Sequence, residues 1–239
     1  MKKLSMIAVL AVLVLGGGAN TALAEDGNSP VRAVTLWWVI FNSPDACTAN
    51  PGGLEQCGSV DVFGQAFLES VANGAPDPSL IAPNLQAGLA VLYATGGVTD
   101  PSGRITLAAS IYRSEDGQPL AISNAAAIAD PMGLGAGYSD TDAEVHLVVR
   151  DHGRRVPAGE IQQISSFLDP YCSDPNLLYF AGQNVCADAQ FAIFGPDESG
   201  SDVVMAFGNP PSEVNGASAY LIRNGDAIQV IVRTRLANH

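Results

Sequence analysis

The stretch Asp140–Arg155, DTDAEVHLVVRDHGRR, holds two of the chain's three histidines, four carboxylates and three arginines. Imidazole beside carboxylate is the chemistry of divalent-metal ligands such as those of zinc, iron or manganese, and of paired acids and bases. On a strand, residues of one parity share a face, and Asp140, Asp142, Glu144, His146, Arg150 and His152 are all even. The candidate metal set is therefore His146 and Glu144 with His152. Strand geometry works against it. Same-face neighbours lie about 7 Å apart, and His146 and His152 would be about 20 Å apart in an extended chain. Convergence needs a bend at His152-Gly153 or a ligand from a neighbouring strand. Arg150 in the same row would repel a cation and suits a cross-strand ion pair better. The preferred reading is structural, with His146 hydrogen-bonded under a loop, His152-Gly153 shaping a turn, and the even positions strung out along one face of the strand.

Other candidate chemistries are weaker. Trp37 and Trp38 are adjacent, so they point to opposite faces and at most one could be a platform for a sugar or another flat ligand. Core packing is the favoured use of both. Arg154-Arg155 could hold an anion, but internal pairing fits a chain with so many carboxylates. Asp197, Glu198 and Asp202 could face calcium, yet they lack the ligand spacing of an EF-hand loop. The sequence has no G-x-S-x-G elbow, no phosphate loop with its lysine, and no H-E-x-x-H helix.

Strands must position whatever site exists. Val31–Asn42, VRAVTLWWVIFN, is apolar on both faces in its second half, as in a central strand covered on both sides. In AEVHLVVRDH, Val145, Leu147 and Val149 point one way, to the core. LQAGLAVLYATGGV and RITLAASIYR flank the turn TDPSGR and predict a hairpin. SAYLIR and AIQVIVRTR flank Asn224-Gly225, a two-residue hairpin signal. PLAISN and AQFAIF predict further short strands. Val62–Gly74 predicts one short helix and PAGEIQQISSFL a second. The fold expected is mainly β: an antiparallel β-sandwich or barrel with one or two short helices and two disulfides.

The ends set the compartment. Lys2 and Lys3, an apolar run from Leu4 to Leu15 and Ala22-Leu23-Ala24 predict a secretory signal peptide over residues 1–24. The β-rich domain then covers 25–194, with 195–239 as a C-terminal β-extension packed on the same domain. The apolar run is too short for a membrane span. The protein is expected to be exported and soluble, in the periplasm or outside the cell. Without Lys2 and Lys3, nine arginines face 24 acids, a net charge of −15 with no lysine. Such a surface disfavours nucleic acid and anionic lipid, and leaves a protein, glycan or small-molecule partner open. Cys47, Cys57, Cys172 and Cys186 are an even set in an oxidising compartment and predict two disulfides. Of the three pairings, Cys47–Cys57 with Cys172–Cys186 closes two short loops and is favoured.

The segments VTLWWVIFNSPDAC, QCG, VLYATGG, EVHLVVRDHG and CADAQFAIF together resemble a family of exported bacterial proteins with no assigned activity. The likeness covers about Val34 to Phe194, leaves out the last 45 or so residues, and implies no chemistry. A looser likeness is to chordin-type CHRD modules, which are exported, β-rich and carry His-x-His. Here His146 is followed by Leu147-Val148, so no residue role carries over. The leading expectation is a non-enzymatic binding or structural module. The alternative is a metal-binding protein or metalloenzyme using His146 with Glu144 and His152.

Overall fold

The strand forecast for Val31–Asn42 corresponds to β1 (Arg32–Phe41), buried along almost its whole length. The computed structural model describes residues 31–52, 55–75, 77–113, 138–165, 179–180, 183–184, 190–196, 198–207 and 212–236. The signal stretch 1–24, Cys172, Cys186 and the strand expected over PLAISN lie outside the described residues. The remaining strands are β2 (Leu89–Val98), β3 (Arg104–Tyr112), β4 (Glu144–Arg154), β5 (Tyr179–Phe180), β6 (Gln183–Asn184), β7 (Gln190–Phe194), β8 (Ser201–Phe207), β9 (Ser212–Asn224) and β10 (Ala227–Arg235). Strands β5 and β6 pair with each other. The other eight run antiparallel in the order β2-β1-β4-β7-β8-β9-β10-β3. No helix among the described residues is long and apolar enough to cross a membrane.

The sheet curls until one face meets itself. Leu36, Trp38 and Ile40 of β1 and Val145, Leu147 and Val149 of β4 share a core with Leu221 of β9, Ile228, Val230 and Val232 of β10, and Leu107 and Ile111 of β3. Each alternates with outward residues, as a two-residue period requires. Burying one such aliphatic or aromatic side chain contributes about 1.5–3 kcal/mol. The edges β2 and β3 form no ladder with each other, so the barrel does not close. Among the described residues the seam between β7 and β8 is thin, with the single register pair Phe191↔Ala206. Two layers result: β2-β1-β4-β7 on one side, and β9-β10-β3 with β8 alongside on the other.

The hairpin expected around TDPSGR does not form, although the turn does. Its backbone closes through Asp100 N–H to Arg104 O and Gly103 N–H to Asp100 O. Each flank is then captured by a different strand. Thr99 N–H donates to the O of Arg32, the first residue of β1, and Leu236 N–H, just beyond β10, donates to Gly103 O. The turn therefore joins the two edges of the sheet, with β2 paired to β1 and β3 to β10. The second hairpin forms with its turn one residue later than expected: Asn224 pairs with Ala227 across Gly225-Asp226.

The single helix expected over Val62–Gly74 is two, α1 (Ser59–Phe63) and α2 (Gln65–Ala72). Gly64 separates them at φ 82°, a left-handed conformation that favours glycine. The second expected helix is short: one turn, α3 (Glu160–Gln163), follows a 3-10 turn at Pro157–Gly159. One disulfide, Cys47–Cys57, lies among the described residues.

The α3 region lies close against β2. The Tyr93 hydroxyl donates to Ile164 O at 2.6 Å, and a Cβ on Gly96 would sit 1.9 Å from that same oxygen. Replacing Gly96 by alanine must push the segment off the sheet. A loss of about 2 kcal/mol is expected, read as a lower urea midpoint together with faster amide exchange in residues 160–165.

Candidate functional site

Register fixes what the even residues of β4 face. Glu144 lies opposite Phe41 of β1, His146 opposite Val39, Val148 opposite Trp37 and Arg150 opposite Thr35. The polar side chains strung along this face raised the alternative of a wet strand face, against a structural use with His146 hydrogen-bonded under a loop. The face is interior: Glu144 is 0% exposed, His146 1%, Arg150 2% and His152 1%. Both faces of β4 are covered, the inner one by the core and the outer one by irregular chain.

The cover is held by buried carboxylates. Glu144 Oε2 accepts the backbone N–H of Gln56 at 2.6 Å, and Oε1 accepts that of Cys57 at 3.1 Å. His146 Nε2 meets Glu144 Oε1 at 2.5 Å, and the Phe41 ring stands edge-on to the imidazole at 5.1 Å. Asp61 of α1 does the same for the rest of the disulfide loop. Its Oδ1 accepts Thr48 N–H, the Thr48 hydroxyl and the Asn84 amide, and its Oδ2 accepts Ala49 N–H and Gly58 N–H. Asn42 adds a third tie, donating to Gly88 O and accepting from Ser139 N–H at 2.8 Å each.

His152 is committed elsewhere. Its Nε2 lies 2.8 Å from the Thr35 hydroxyl, which also accepts the Trp37 indole N–H at 2.8 Å. A hydroxyl has one hydrogen, so after accepting from Trp37 it can donate that hydrogen to the His152 ring. Gln163 of α3 seals this end, donating to Arg154 O and His152 O and accepting Val156 N–H. The structure thus brings Glu144 and His146 together and gives His152 a separate partner. Among the described residues no group of three or more His, Cys, Asp or Glu could hold a metal ion.

The ligand-platform idea for Trp37 and Trp38 is corrected. Both are 1% exposed. Trp38 packs in the inner core. Trp37, on the opposite face, stands edge-on to Tyr93 at 5.5 Å beneath the outer cover. Neither offers a ring face to solvent.

The arginines serve mainly structure. Arg32 pairs with Asp151 at 2.6 Å and Arg113 with Asp226 at 2.6 Å, and Arg155 pairs with Glu160. The Arg150 guanidinium is pushed down to about 9 by burial and still carries its charge at neutral pH. Arg223 of β9 donates to four backbone carbonyls: Thr141 and Ala143 before β4, and Gly195 and Glu198 after β7. Glu198 also closes its own turn by accepting Gly195 N–H at 2.9 Å.

Sequence reasoning passed over Asp61, Asn42 and Arg223. Asp61 had a local signal, an acid in the first turn of a helix after Gly58. The other two act through contacts 80 to 98 residues away for the pairs Arg223–Ala143 and Asn42–Asp140, which no local pattern announces. No protein-family model, curated protein or solved structure matches the chain.

Replacing Glu144 by glutamine turns one acceptor into a donor facing two N–H groups and a histidine. A loss of about 2–3 kcal/mol is expected, measured by urea unfolding, with faster amide exchange at Gln56 and Cys57 and none of that change in β10. Glu55, at the rim of this cluster, has its carboxyl raised above 4.5 by desolvation first; His146 opposes the shift, and Glu144 and Glu198 reinforce it. Its charge is therefore penalised in the folded state. That penalty is present above the folded pKa and is relieved as pH falls through it. The variant Glu55→Gln should raise the urea midpoint at pH 7, and the gain should vanish once pH drops below 4.5.

Proposed function

We propose that this chain is an exported, disulfide-bonded β-module that acts by binding, or as a structural part of the envelope or exterior, and not by catalysis. One observation carries the reading. The strongest chemical motif in the sequence, Glu144 with His146, is spent on holding the disulfide loop: the carboxylate accepts two main-chain N–H groups and meets the imidazole. A catalytic carboxylate needs a free oxygen turned toward a substrate. The export half of the reading is supported by the leader pattern over 1–24 and by the Cys47–Cys57 bridge, since disulfides persist in oxidising compartments. The likeness to exported bacterial proteins with no assigned activity belongs to the same reading.

The test is metal content. The oxidised mature protein, purified without a histidine tag, is assayed by plasma mass spectrometry beside His146→Ala. No stoichiometric metal is expected in either, and the variant should lose about 1–3 kcal/mol because Glu144 is left without its side-chain partner. Stoichiometric zinc, copper, iron or manganese that disappears in His146→Ala would overturn the non-catalytic reading.

A further inference from the structure

We propose that the uncovered outer face of β3, β10 and β9 is a docking surface for an acidic polysaccharide, gripped at one end by Arg104, Arg233 and Arg235. The proposal rests on the binding reading above and supplies its partner class. The outer face of the other layer is roofed by the disulfide loop and α3. On this layer Gln229, Ile231, Arg233 and Arg235 of β10 alternate with buried neighbours and are exposed, as are Arg104, Thr106, Ala108, Ser110 and Tyr112 of β3.

The charge distribution picks out one end of the face. Arg235 lies directly opposite Arg104 in the β10–β3 register, and Arg233 lies opposite Thr106. Arg233 and Arg235 are same-face neighbours about 7 Å apart. Like charges directly opposite on paired strands destabilise a sheet. The chain has 24 acidic residues against 11 basic ones, so a carboxylate to relieve them would be easy to supply. Among the described residues none forms an ion pair with these three. Asp100 lies within the field of Arg104, but its Oδ1 is taken up by Ser102 N–H, the Ser102 hydroxyl and Arg104 N–H in the turn. At the far end of β3 the same problem is solved internally, by Arg113 with Asp226. An anion from outside completes the near end.

The occupant follows from the surface. Guanidinium forks bind carboxylates in two-point geometry. Between and beside them lie Thr106, Ser218 and Tyr220, with Ser218 opposite Arg233 and Tyr220 opposite Ile231, and short hydroxyls and a phenol suit sugar hydroxyls and ring faces. Without Lys2 and Lys3 the net charge of −15 repels a densely charged polymer such as nucleic acid at long range. A uronate chain, with neutral hydroxyls between its charges, meets less of that repulsion.

The experiment measures the full oxidised mature protein on immobilised alginate by biolayer interferometry at low ionic strength, with dextran and poly-glutamate surfaces alongside. Alginate should bind more tightly than poly-glutamate, dextran should not bind, and added salt should weaken the alginate signal. The triple variant R104Q/R233Q/R235Q should bind about tenfold more weakly or worse, while R113Q stays at the wild-type level. The triple variant should also melt no lower than wild type, because a like-charge opposition is removed. The proposal is overturned by wild type that ignores alginate, by a triple variant that binds as well as wild type, by poly-glutamate binding as tightly as alginate, or by R113Q losing as much as the triple variant. The non-catalytic reading stands or falls separately, on the metal content of wild type and His146→Ala.

Discussion

The carboxylate of Glu144 lets irregular chain lie flat on a strand that is buried on both sides. A central strand pair with apolar outer residues such as Trp37, Val39 and Phe41 has to be roofed. A helix roof brings its own hydrogen bonds, whereas a loop roof brings backbone N–H groups that lose water without gaining a partner. Here the loop is the roof, and Glu144 with Asp61 supplies the acceptors. The disulfide and the Asn42 ties then need only fix a shape the carboxylates already permit.

The two layers of the sheet consequently differ in kind. One carries a polar network inside its cover: Thr35 with Trp37 and His152, and Gln163 with the strand end. The other has a plain core on one side and bare surface on the other. Polar residues that look chemically interesting in sequence fall in the first layer, where they are consumed by structure. The second layer draws little notice in sequence. Yet it is where three cationic groups stand without a counter-charge among the described residues.

The strands were legible because their alternation is local. Val145, Leu147 and Val149 read as core, and they are core. The even positions of β4 left a wet face open because Glu144, His146, Arg150 and His152 are polar, and polarity on a strand face ordinarily signals water. Only the cover, built from residues about 90 positions away, makes that face interior. The TDPSGR turn misled for a related reason. Turn chemistry is local, but which strands the flanks pair with is decided by Arg32 on one side and Leu236 on the other. The break at Gly64 was visible as a glycine, yet its meaning lay in the close approach of Ala82, whose oxygen would stand 2.9 Å from a side-chain carbon there.

Arg223 has a mechanical consequence. Among the described residues the β7–β8 seam has the fewest register pairs in the eight-stranded sheet, and regions with few backbone bonds open at lower free energy. The guanidinium reaches from β9 across that line to carbonyls beside both β4 and β7. It works as a stitch placed where the fabric is thinnest: the two layers can strain against each other, but the first tear must release several bonds to one side chain together. Where the backbone ladder is shortest, one side chain ties the turn after β7 to the core residue Ala143, so the two layers are coupled there by a guanidinium and not by strand pairing.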